Sequence, residues 1–273
     1  MSLIILLISL CAIGFVYARF VEPNLLVVRR LRLRRKASAG GGSPLRITLI
    51  SDFHYPRYSD YRMVRRAIEA SNALDPDVVF LLGDFFDKNR KDPAVLPENI
   101  GALFGGIRSR LGVFGVLGNH DHWFDERAIR NALGAETNIL LVDNASALIE
   151  ASETPLYVVG VGDLWCKNAR YDQAVSEVPG NASIILLSHN PDVIAQIRDP
   201  RILVQFSGHT HGGQVRLPFV GALRVPSEFG NRYASGLVTG EGHHPLYVNS
   251  GICSMKGIRF LCPPEVTSVE IDR

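Results

Sequence analysis

Cysteine is scarce in this sequence, and its placement excludes two common roles. The 273 residues include four cysteines, Cys11, Cys166, Cys253 and Cys262, and none form the C-x-x-C pairs of metal or redox motifs. Cys11 lies inside the first hydrophobic run. We therefore expect free thiols rather than a disulfide framework, in a reducing compartment.

Net charge is also small, and it is unevenly spread. The formal charge is +2, but residues 1–39 carry seven basic side chains and one acidic one, which leaves about −4 for residues 40–273. A mildly acidic globular part argues against a broad nucleic-acid-binding face, so we expect no nucleic-acid partner. Hydrophobic residues make up 47% and charged residues 21% of the chain, which is enough for one large core or two small ones.

No charged residue interrupts the first hydrophobic run, residues 2–18. Seventeen helical residues are at the short limit for crossing a hydrocarbon core of about 30 Å. No Lys or Arg precedes the run, whereas a signal peptide normally starts with a basic region, although Val16-Tyr17-Ala18 would serve as a cleavage site. All the nearby positive charge follows the run, and that side of a membrane segment stays in the cytoplasm. We expect an uncleaved single-pass anchor, residues 1–19, in the inner membrane with the globular domain in the cytoplasm. A secreted or periplasmic domain and a peripheral helix are the alternatives.

Residues 20–44 are predicted to form a basic juxtamembrane segment and a linker. The stretch 29–36 would lie next to anionic lipid, where each basic residue contributes about 1 kcal/mol. Residues 27–33 also fit an edge strand with arginines on its solvent face, and both interpretations can hold together. The Gly- and Ser-rich residues 37–44 are the predicted linker or turn.

After residue 44, apolar strands alternate with helices. This pattern predicts an α/β fold in a single domain, residues 45–273. In such folds, ligands gather beyond the carboxyl ends of the strands. The predicted strands cover residues 45–50, 78–82, 113–117, 156–161, 183–187, 203–207, 246–249 and 266–271, and the predicted helices cover residues 61–74, 99–110 and 125–133.

Metal-competent side chains follow five of these strands. A lone histidine after a strand is more often structural, and G-D or D-x-H is a weak signal alone, but the combination at one edge of a sheet favours a metal site. Mixed carboxylate and imidazole ligands suit divalent manganese, iron or zinc. Two such ions about 3.5–4 Å apart can hold a hydroxide between them and polarise phosphoryl oxygens. The five groups are D-x-H at Asp52 and His54, G-D at Asp84, G-N-H-D at residues 118–121, His189, and G-H-T-H-G-G at residues 208–213.

In combination, order and spacing, these motifs resemble the calcineurin-like metallophosphoesterase superfamily over residues 45–271. The resemblance implies a four-layer α/β/β/α sandwich of two mixed sheets. It also implies a dinuclear centre of two divalent ions, Mn²⁺ first and Fe or Zn²⁺ as alternatives, and hydrolysis of a phosphoester or phosphoanhydride by metal-activated hydroxide.

The same resemblance implies residue roles. His120 resembles the general acid or transition-state stabiliser, and Asp121 would orient it. Asp87 is expected to support its loop or to be a surface turn carboxylate. The implied ligands are Asp52, His54, Asp84 and His211 for one metal, and Asp84, Asn119, His189 and His209 for the other, with Asp84 bridging.

Residues 208–219, the anchor and residues 263–266 resemble one bacterial branch of membrane-anchored phosphodiesterases, some of which cleave UDP-2,3-diacylglucosamine in lipid A synthesis. The implied substrate is a lipid-linked phosphodiester or pyrophosphate at the membrane. Another phospholipid, nucleotide or cell-wall precursor is the alternative, and a non-catalytic scaffold is a third. The interval between Asp121 and His189 is too short for a large helical lid. Candidate acyl-chain contacts are Phe85, Phe86, Trp123, Phe124, Leu217, Phe219 and Phe229, and candidate phosphate or uridine contacts are Arg216, Arg224 and Arg232; ordinary packing or a solvated face is the alternative for each.

Overall fold

A computed structural model of the chain describes residues 3–34, 43–87, 100–150, 155–240 and 244–272, so most of the predicted linker lies outside the described residues. The helices are α1 (Leu3–Val16), α2 (Tyr61–Ala73), α3 (Ile100–Phe104), α4 (Asn119–Glu136) and α5 (Tyr171–Ala174). The strands are β1 (Val27–Leu33), β2 (Leu45–Ile50), β3 (Tyr55–Pro56), β4 (Val78–Leu81), β5 (Phe86–Asp87), β6 (Gly112–Gly115), β7 (Ile139–Leu141), β8 (Ala145–Ile149), β9 (Leu156–Gly160), β10 (Ser183–Leu187), β11 (Ile202–Ser207), β12 (Arg216–Leu217), β13 (Gly221–Ala222), β14 (Gly236–Val238), β15 (Leu246–Val248) and β16 (Glu265–Ile271).

Two six-stranded mixed sheets form the centre of the fold. The first has the strand order β1-β16-β2-β4-β6-β7, in which β2, β4, β6 and β7 run parallel and β16 runs antiparallel to β2. The second has the order β14-β15-β11-β10-β9-β8, with four parallel central strands and an antiparallel strand at each edge. The parallel strands of each sheet therefore end at one edge, as predicted from the sequence.

The sheets pack face to face and are covered by helices outside. Phe80 of β4 and Phe206 of β11 meet between the sheets, with ring centroids 6.0 Å apart. Helices α2, α3 and α4 cover the first sheet through residues such as Val64 and Phe104, and α5 with the 3-10 turn Pro191–Ala195 covers the second. The four-layer α/β/β/α arrangement is confirmed.

Two helix predictions had the wrong extent. The predicted helix 99–110 is shorter: α3 ends at Phe104, where Gly105 and Gly106 follow, and residue 99 lies outside the described residues. The predicted helix 125–133 starts earlier, because α4 begins at Asn119 and includes a non-helical break at Asp125 (φ −169°). The G-N-H-D motif is therefore the first turn of a helix.

The N-terminal segment is longer than the predicted anchor and joins the globular part. Helix α1 continues through a π-helical turn, Tyr17–Val21, and a 3-10 turn, Glu22–Asn24, so 22 residues, Leu3–Asn24, are long and apolar enough to cross a membrane. Strand β1 then pairs in parallel with β16 at the edge of the first sheet. Residues 27–33 thus form the edge strand that the sequence allowed, and the sheet includes chain that precedes residue 45.

Candidate metal centre

Within each sheet, the loops that follow neighbouring strands are hydrogen-bonded to each other. The backbone N–H of Asp52 donates to the carbonyl of Gly83 (3.1 Å), and that of His54 donates to the carbonyl of Asp84 (2.8 Å). The N–H of Gly208, after β11, donates to the carbonyl of His189, after β10 (3.0 Å). These bonds fix the relative positions of the loops before any side chain is considered.

Five of the seven predicted ligands have a backbone conformation that side chains rarely adopt. Their φ angles lie between 42° and 72°, and such a conformation costs about 1–3 kcal/mol for a residue other than glycine. Strain of this kind persists where the surrounding structure enforces it, and it clusters at functional sites. The five are Asp52, His54, Asp84, His209 and His211.

The ligands predicted for one metal lie together and are buried. The Nε2 atom of His54 is 3.2 Å from Oδ2 of Asp84, and the Nε2 atom of His211 is 3.6 Å from Oδ1 of Asp52. Asp52, His54 and Asp84 each offer a ligand atom within 4.8 Å of the others. Asp52 is also fixed by the hydroxyl of Ser51, which donates to its carboxylate (2.6 Å).

The ligands predicted for the other metal also meet at Asp84. The Nε2 atom of His189 is 3.1 Å from the same Oδ2 of Asp84 and 3.3 Å from Nδ1 of His209. The Nδ1 atom of His189 lies 2.6 Å from the carbonyl of Leu82, so Nδ1 carries the proton of that bond and Nε2 faces the centre. The buried Asn119 begins α4 beside them.

Several buried polar atoms in this cluster are without a hydrogen-bond partner in the described part of the chain. They include Oδ1 of Asn119 and Nε2 of His209. Buried polar atoms are normally paired, and an unpaired one suggests a missing ion or water. Imidazole nitrogens, carboxylates and an amide oxygen suit divalent transition metals, so the residues fit a two-metal site.

The pKa values of the clustered side chains also fit a site for two metal ions. Burial alone would lower the pKa of His54 and His189, but the Asp84 carboxylate raises each to about 10. Burial opposes the ionised form of Asp84, yet the two histidines hold its pKa well below the usual range. Burial and repulsion from His189 lower the pKa of His209 to about 3, so its imidazole is neutral at pH 7. Protons on His54 and His189 thus supply positive charge that metal ions would replace.

The structure gives the position beside His120 to a different carboxylate from the one predicted. Asp121 accepts backbone N–H groups from Gly118 (2.9 Å), Phe85 (3.2 Å) and Phe86 (3.0 Å), so it ties the loop after β4 to the start of α4. Its expected role of orienting His120 is therefore not supported by these contacts. Nδ1 of His120 lies 3.1 Å from Oδ2 of Asp87 instead.

Asp87 belongs to the site, which settles its open assignment. It is buried, its Oδ2 is 3.6 Å from Nδ1 of His54, and its Oδ1 accepts from Nη1 of Arg57 (3.0 Å). Strand β5 pairs with β3, and this pairing brings Asp87 beside the D-x-H loop. The signal in the sequence for a place beside His54 and His120 was the position of Asp87, three residues after Asp84.

Sequence reasoning missed two further residues at the centre. The buried Sγ of Cys253 is 3.4 Å from Nδ1 of His211, and it forms a possible ligand group with His54 and His211. Trp165 contacts His209 edge-on, with centroids 4.3 Å apart, and stacks near Trp123 at 6.1 Å. Neither lies in a recognisable motif, so the sequence offered no signal for them.

A pocket of about 360 Å³ opens above the ligands. Trp165, Arg224, Met255 and Lys256 line it together with His120 and several ligands. Arg224 is thus the one member of the predicted arginine set among the residues lining this pocket. Arg216 donates to Ser235, and Arg232 stacks on Tyr233.

The predicted apolar contacts separate into three kinds. Phe85 and Phe86 are fully buried core residues, and Phe124 packs against them. Phe229 packs against Tyr233, with ring centroids 4.6 Å apart. Exposed side chains form the third kind: Trp123 beside His120, and Leu217 and Phe219 on the hairpin of β12 and β13.

Comparison with known proteins agrees with this geometry. Residues 45–213 match the family model described as calcineurin-like phosphoesterase. The chain is 32% identical to phosphodiesterase YaeI of Escherichia coli (strain K12), over 94% of this chain and 93% of that protein. It is 27% identical to UDP-2,3-diacylglucosamine pyrophosphatase LpxG of Chlamydia trachomatis, over 92% and 91% of the two chains.

A solved structure shares the fold at low sequence identity. The 5′-nucleotidase precursor of Thermus thermophilus superposes with a TM-score of 0.53 at 13% identity, over 84% of this chain and 54% of that one. That likeness concerns the fold alone. With the family match and the relative at 32% identity, the chain belongs to the calcineurin-like phosphoesterase family, whose members use a dinuclear metal centre, and it is a phosphoester hydrolase.

Proposed function

We propose that the protein hydrolyses a phosphodiester or pyrophosphate bond of a membrane-associated substrate, with UDP-2,3-diacylglucosamine as the first candidate. The observation that carries the proposal is the shared carboxylate of Asp84, whose Oδ2 contacts both His54, from one predicted ligand set, and His189, from the other. An aspartate between two sets of ligands is the arrangement that two neighbouring cations require.

The ligand sets follow from that arrangement. Asp52, His54, Asp84 and His211 would hold one divalent ion, and Asp84, Asn119, His189 and His209 would hold the other. When bound, a pair of divalent ions activates a water and neutralises charge on the phosphoryl oxygens. We propose Mn²⁺ as the metal, with Fe or Zn²⁺ as alternatives, because the ligands mix carboxylate, amide and imidazole groups.

His120 is the proposed proton donor to the leaving oxygen. Its ring lines the pocket and its side chain is 23% exposed, so a substrate can reach it. The Asp87 carboxylate contacts Nδ1 of His120, so Nε2 is the ring nitrogen that can give a proton to the substrate. Asp87 is thus a positioning residue that holds the ring of His120.

The rim of the pocket suits an anionic substrate with a flat polar group. Arg224 and Lys256 line it and are exposed, so they can pair with phosphate oxygens. Trp165 is 46% exposed and presents a ring face on which a sugar or base can stack.

The membrane assignment is supported by contacts at the end of the N-terminal helix. The Ala18 carbonyl accepts from the N–H of Arg259 (2.9 Å), and the buried Glu22 carboxylate accepts from Leu261 (2.8 Å). Cleavage after Ala18 would remove the hydrophobic segment at a point that is packed on the domain. We therefore propose an uncleaved anchor in the inner membrane with the domain on the cytoplasmic side, as the basic residues after the helix favour.

Two relatives support the substrate class. YaeI is named as a phosphodiesterase and LpxG as a UDP-2,3-diacylglucosamine pyrophosphatase, and both align with more than nine-tenths of this chain. Acyl chains would keep such a substrate in the bilayer, where an anchored enzyme meets it.

The test is hydrolysis of UDP-2,3-diacylglucosamine by the detergent-solubilised protein with Mn²⁺, beside a soluble chromogenic diester. Asp84→Asn should lower kcat/KM by at least about 10³ and reduce bound metal measured by mass spectrometry. Asp77→Asn is the control, because Asp77 is equally buried but bonds to Arg46 and Arg110 at the amino end of β4.

The outcomes separate the levels of the proposal. Cleavage of the acylated nucleotide by wild type and Asp77→Asn, and not by Asp84→Asn, supports it fully. Cleavage of the soluble diester alone retains the two-metal chemistry and rejects this substrate. A metal-loaded wild type that cleaves neither would reject the proposal.

A further inference from the structure

We propose that the β12–β13 hairpin is a second membrane contact, whose apolar tip enters the bilayer interface beside the N-terminal helix. The mouth of the metal pocket then faces the membrane surface. The inference rests on the proposed membrane anchor, and it does not depend on which substrate the site cleaves.

The tip of the hairpin is apolar and exposed. Leu217, Val220 and Leu223 are 38%, 61% and 58% exposed, and the Phe219 side chain is fully exposed. The two strands of the hairpin contribute two residue pairs, Arg216 with Ala222 and Leu217 with Gly221. Single exposed apolar residues are ordinary, but three at the tip with Leu223 at the base of the same hairpin mark an interaction surface.

A short segment, residues 259–261, links the base of this hairpin to the end of the N-terminal helix. On one side, the N–H of Arg216 donates to the carbonyl of Phe260 (2.9 Å), and the N–H of Phe260 donates to the carbonyl of Gln214 (2.8 Å). On the other side, the Phe260 ring meets the Tyr17 ring at 6.2 Å. The hairpin and the helix therefore contact the same short segment.

The helix end is docked on the domain. Glu22 is buried, and its carboxylate accepts the N–H groups of Leu261 and Cys262. Nη1 of Arg19 donates to the carbonyl of Gly257 (3.2 Å). These bonds fix where the helix leaves the domain, and so they fix where the bilayer begins.

The distances suit a shared membrane plane. Phe219 lies three residues beyond Arg216, a reach of about 10 Å at about 3.3 Å per extended residue. The polar interface on each side of the hydrocarbon core is about 5–8 Å thick. A tip this close to the helix exit would reach the interface if the two point the same way.

Charge around the tip favours lipid as the occupant. Arg216 and Arg224 flank the hairpin, and Arg19 and Lys256 lie on the docked helix end and the adjoining loop. Apolar residues with a basic border bind the interface of anionic bilayers. Since the apolar helix is attached to the same segment, a lipid surface explains both features, whereas a protein partner would explain the hairpin alone.

Residues beside the hairpin and beside the linking segment also line the pocket above the candidate metal centre. Arg224 follows β13, Met255 and Lys256 precede the linking segment, and all three line the pocket. A lipid-embedded substrate could then place its phosphate at the metal ligands while its chains stay in the bilayer.

The test measures the depth of Phe219 in the full chain, reconstituted in nanodiscs of phosphatidylcholine and phosphatidylglycerol. Cys11 and Cys166 are first replaced by Ala, because Cys253 and Cys262 are buried. A nitroxide is attached through Phe219→Cys, and the matched control is Leu148→Cys, whose side chain on β8 of the second sheet is 47% exposed. Power-saturation electron paramagnetic resonance compares collisions with oxygen, which prefers lipid, and with a water-soluble nickel chelate.

We expect the label at 219 to collide more with oxygen than with nickel, and the label at 148 to show the reverse. If the label at 219 is as accessible to nickel as the label at 148, the proposal is overturned. Protection from both reagents would also overturn it, because that result indicates a protein partner.

A second measurement relates the contact to activity. Phe219→Asp should leave cleavage of a soluble diester within about twofold and lower kcat/KM on a bilayer-embedded diester about tenfold, because one buried aromatic contact is lost. Phe219→Leu should restore most of the loss. An equal loss on both substrates would show that the hairpin acts on the pocket rather than on the membrane, whereas inactivity of the wild type would count against the proposed function and leave the depth measurement valid.

Discussion

Asp84 connects the two halves of the metal centre at the scale of single residues. Its Oδ2 contacts Nε2 of both His54 and His189. Its Oδ1 accepts a hydrogen bond from the backbone N–H of His120 (2.9 Å). Without metal, one carboxylate faces two protonated imidazoles, so protons and metal ions compete for the same atoms.

We expect metal binding to release protons. The folded pKa of His54 and His189 is about 10, above the ordinary 6.5, so both are protonated in the metal-free site at pH 7. Metal must displace up to two protons, and its apparent affinity should rise with pH up to about 10. Calorimetry in buffers of different ionisation enthalpy measures the number released. No proton release at pH 7 would contradict the raised pKa values.

The same shift has a consequence for the stability of the metal-free protein. A raised folded pKa contributes stability that is fully present below the unfolded value, near 6.5, and is lost as pH rises through about 10. The melting temperature without metal should therefore fall between pH 7 and 10. Added Mn²⁺ should reverse the fall, because metal replaces the lost positive charge.

Asp87 should act on catalysis through His120. Asp87→Asn should lower kcat about 10- to 100-fold, since it weakens the carboxylate contact that orients the imidazole of His120. The test is a double-mutant cycle with His120→Asn on the soluble diester. If the role is as proposed, the double variant is no slower than His120→Asn alone. Multiplied losses would mean that Asp87 acts elsewhere, for example through its contact with His54.

At the scale of elements, the site is made where strands end in tightly packed turns. Gly83 follows β4 with φ at 93°, and a Cβ there would lie 2.7 Å from both the Gly118 nitrogen and Nδ1 of His189. The loop after β4, the loop before α4 and the ring of His189 therefore meet at Gly83.

Gly83→Ala should destabilise the fold by about 2–5 kcal/mol, from overpacking together with positive-φ strain. It should also reduce bound metal, because His189 must move. The control is Gly134→Ala in α4, which has nothing within 4 Å of its Cβ position and should stabilise by up to about 1 kcal/mol. Chemical denaturation measures both variants, and a Gly83→Ala protein as stable as wild type would contradict the packing argument.

At the scale of the whole molecule, the N-terminal helix is joined to the catalytic domain at its base. Contacts from residues 17–24 reach residues 257–262, more than 230 positions away in the chain. If the helix is the membrane anchor proposed above, it fixes the orientation of the domain in addition to keeping it near the membrane.

Glu22→Ala in the full chain should destabilise the domain by about 1–3 kcal/mol, because two backbone N–H groups lose a charged acceptor. Glu69→Ala is the control, since Glu69 is exposed and pairs only with Arg65 one helical turn away, and no measurable change is expected. Thermal unfolding in detergent measures both. Equal stability of Glu22→Ala and wild type would show that the helix end is loosely attached.

The family, the alternation of strands and helices, and the positions of the metal-competent residues could all be predicted from the order of the amino acids. Polar residues that follow neighbouring parallel strands lie at one edge of a sheet, so Asp52 could be placed beside Asp84, and His189 beside His209, without coordinates. Bringing the two pairs together required the packing of one sheet on the other. The identity of the motifs then supplied the roles that remain proposed.

Tertiary structure alone decided which neighbours meet. Asp121 is adjacent to His120 in sequence, but successive residues of a helix point about 100° apart. Asp121 therefore faces the loop after β4. The carboxylate that contacts the imidazole of His120 belongs to Asp87, 33 positions before His120. The exposure of Phe219 and the burial of Phe85 likewise depend on which elements pack over them. Local sequence fixes where a side chain starts, and only the packing of distant segments fixes what it touches.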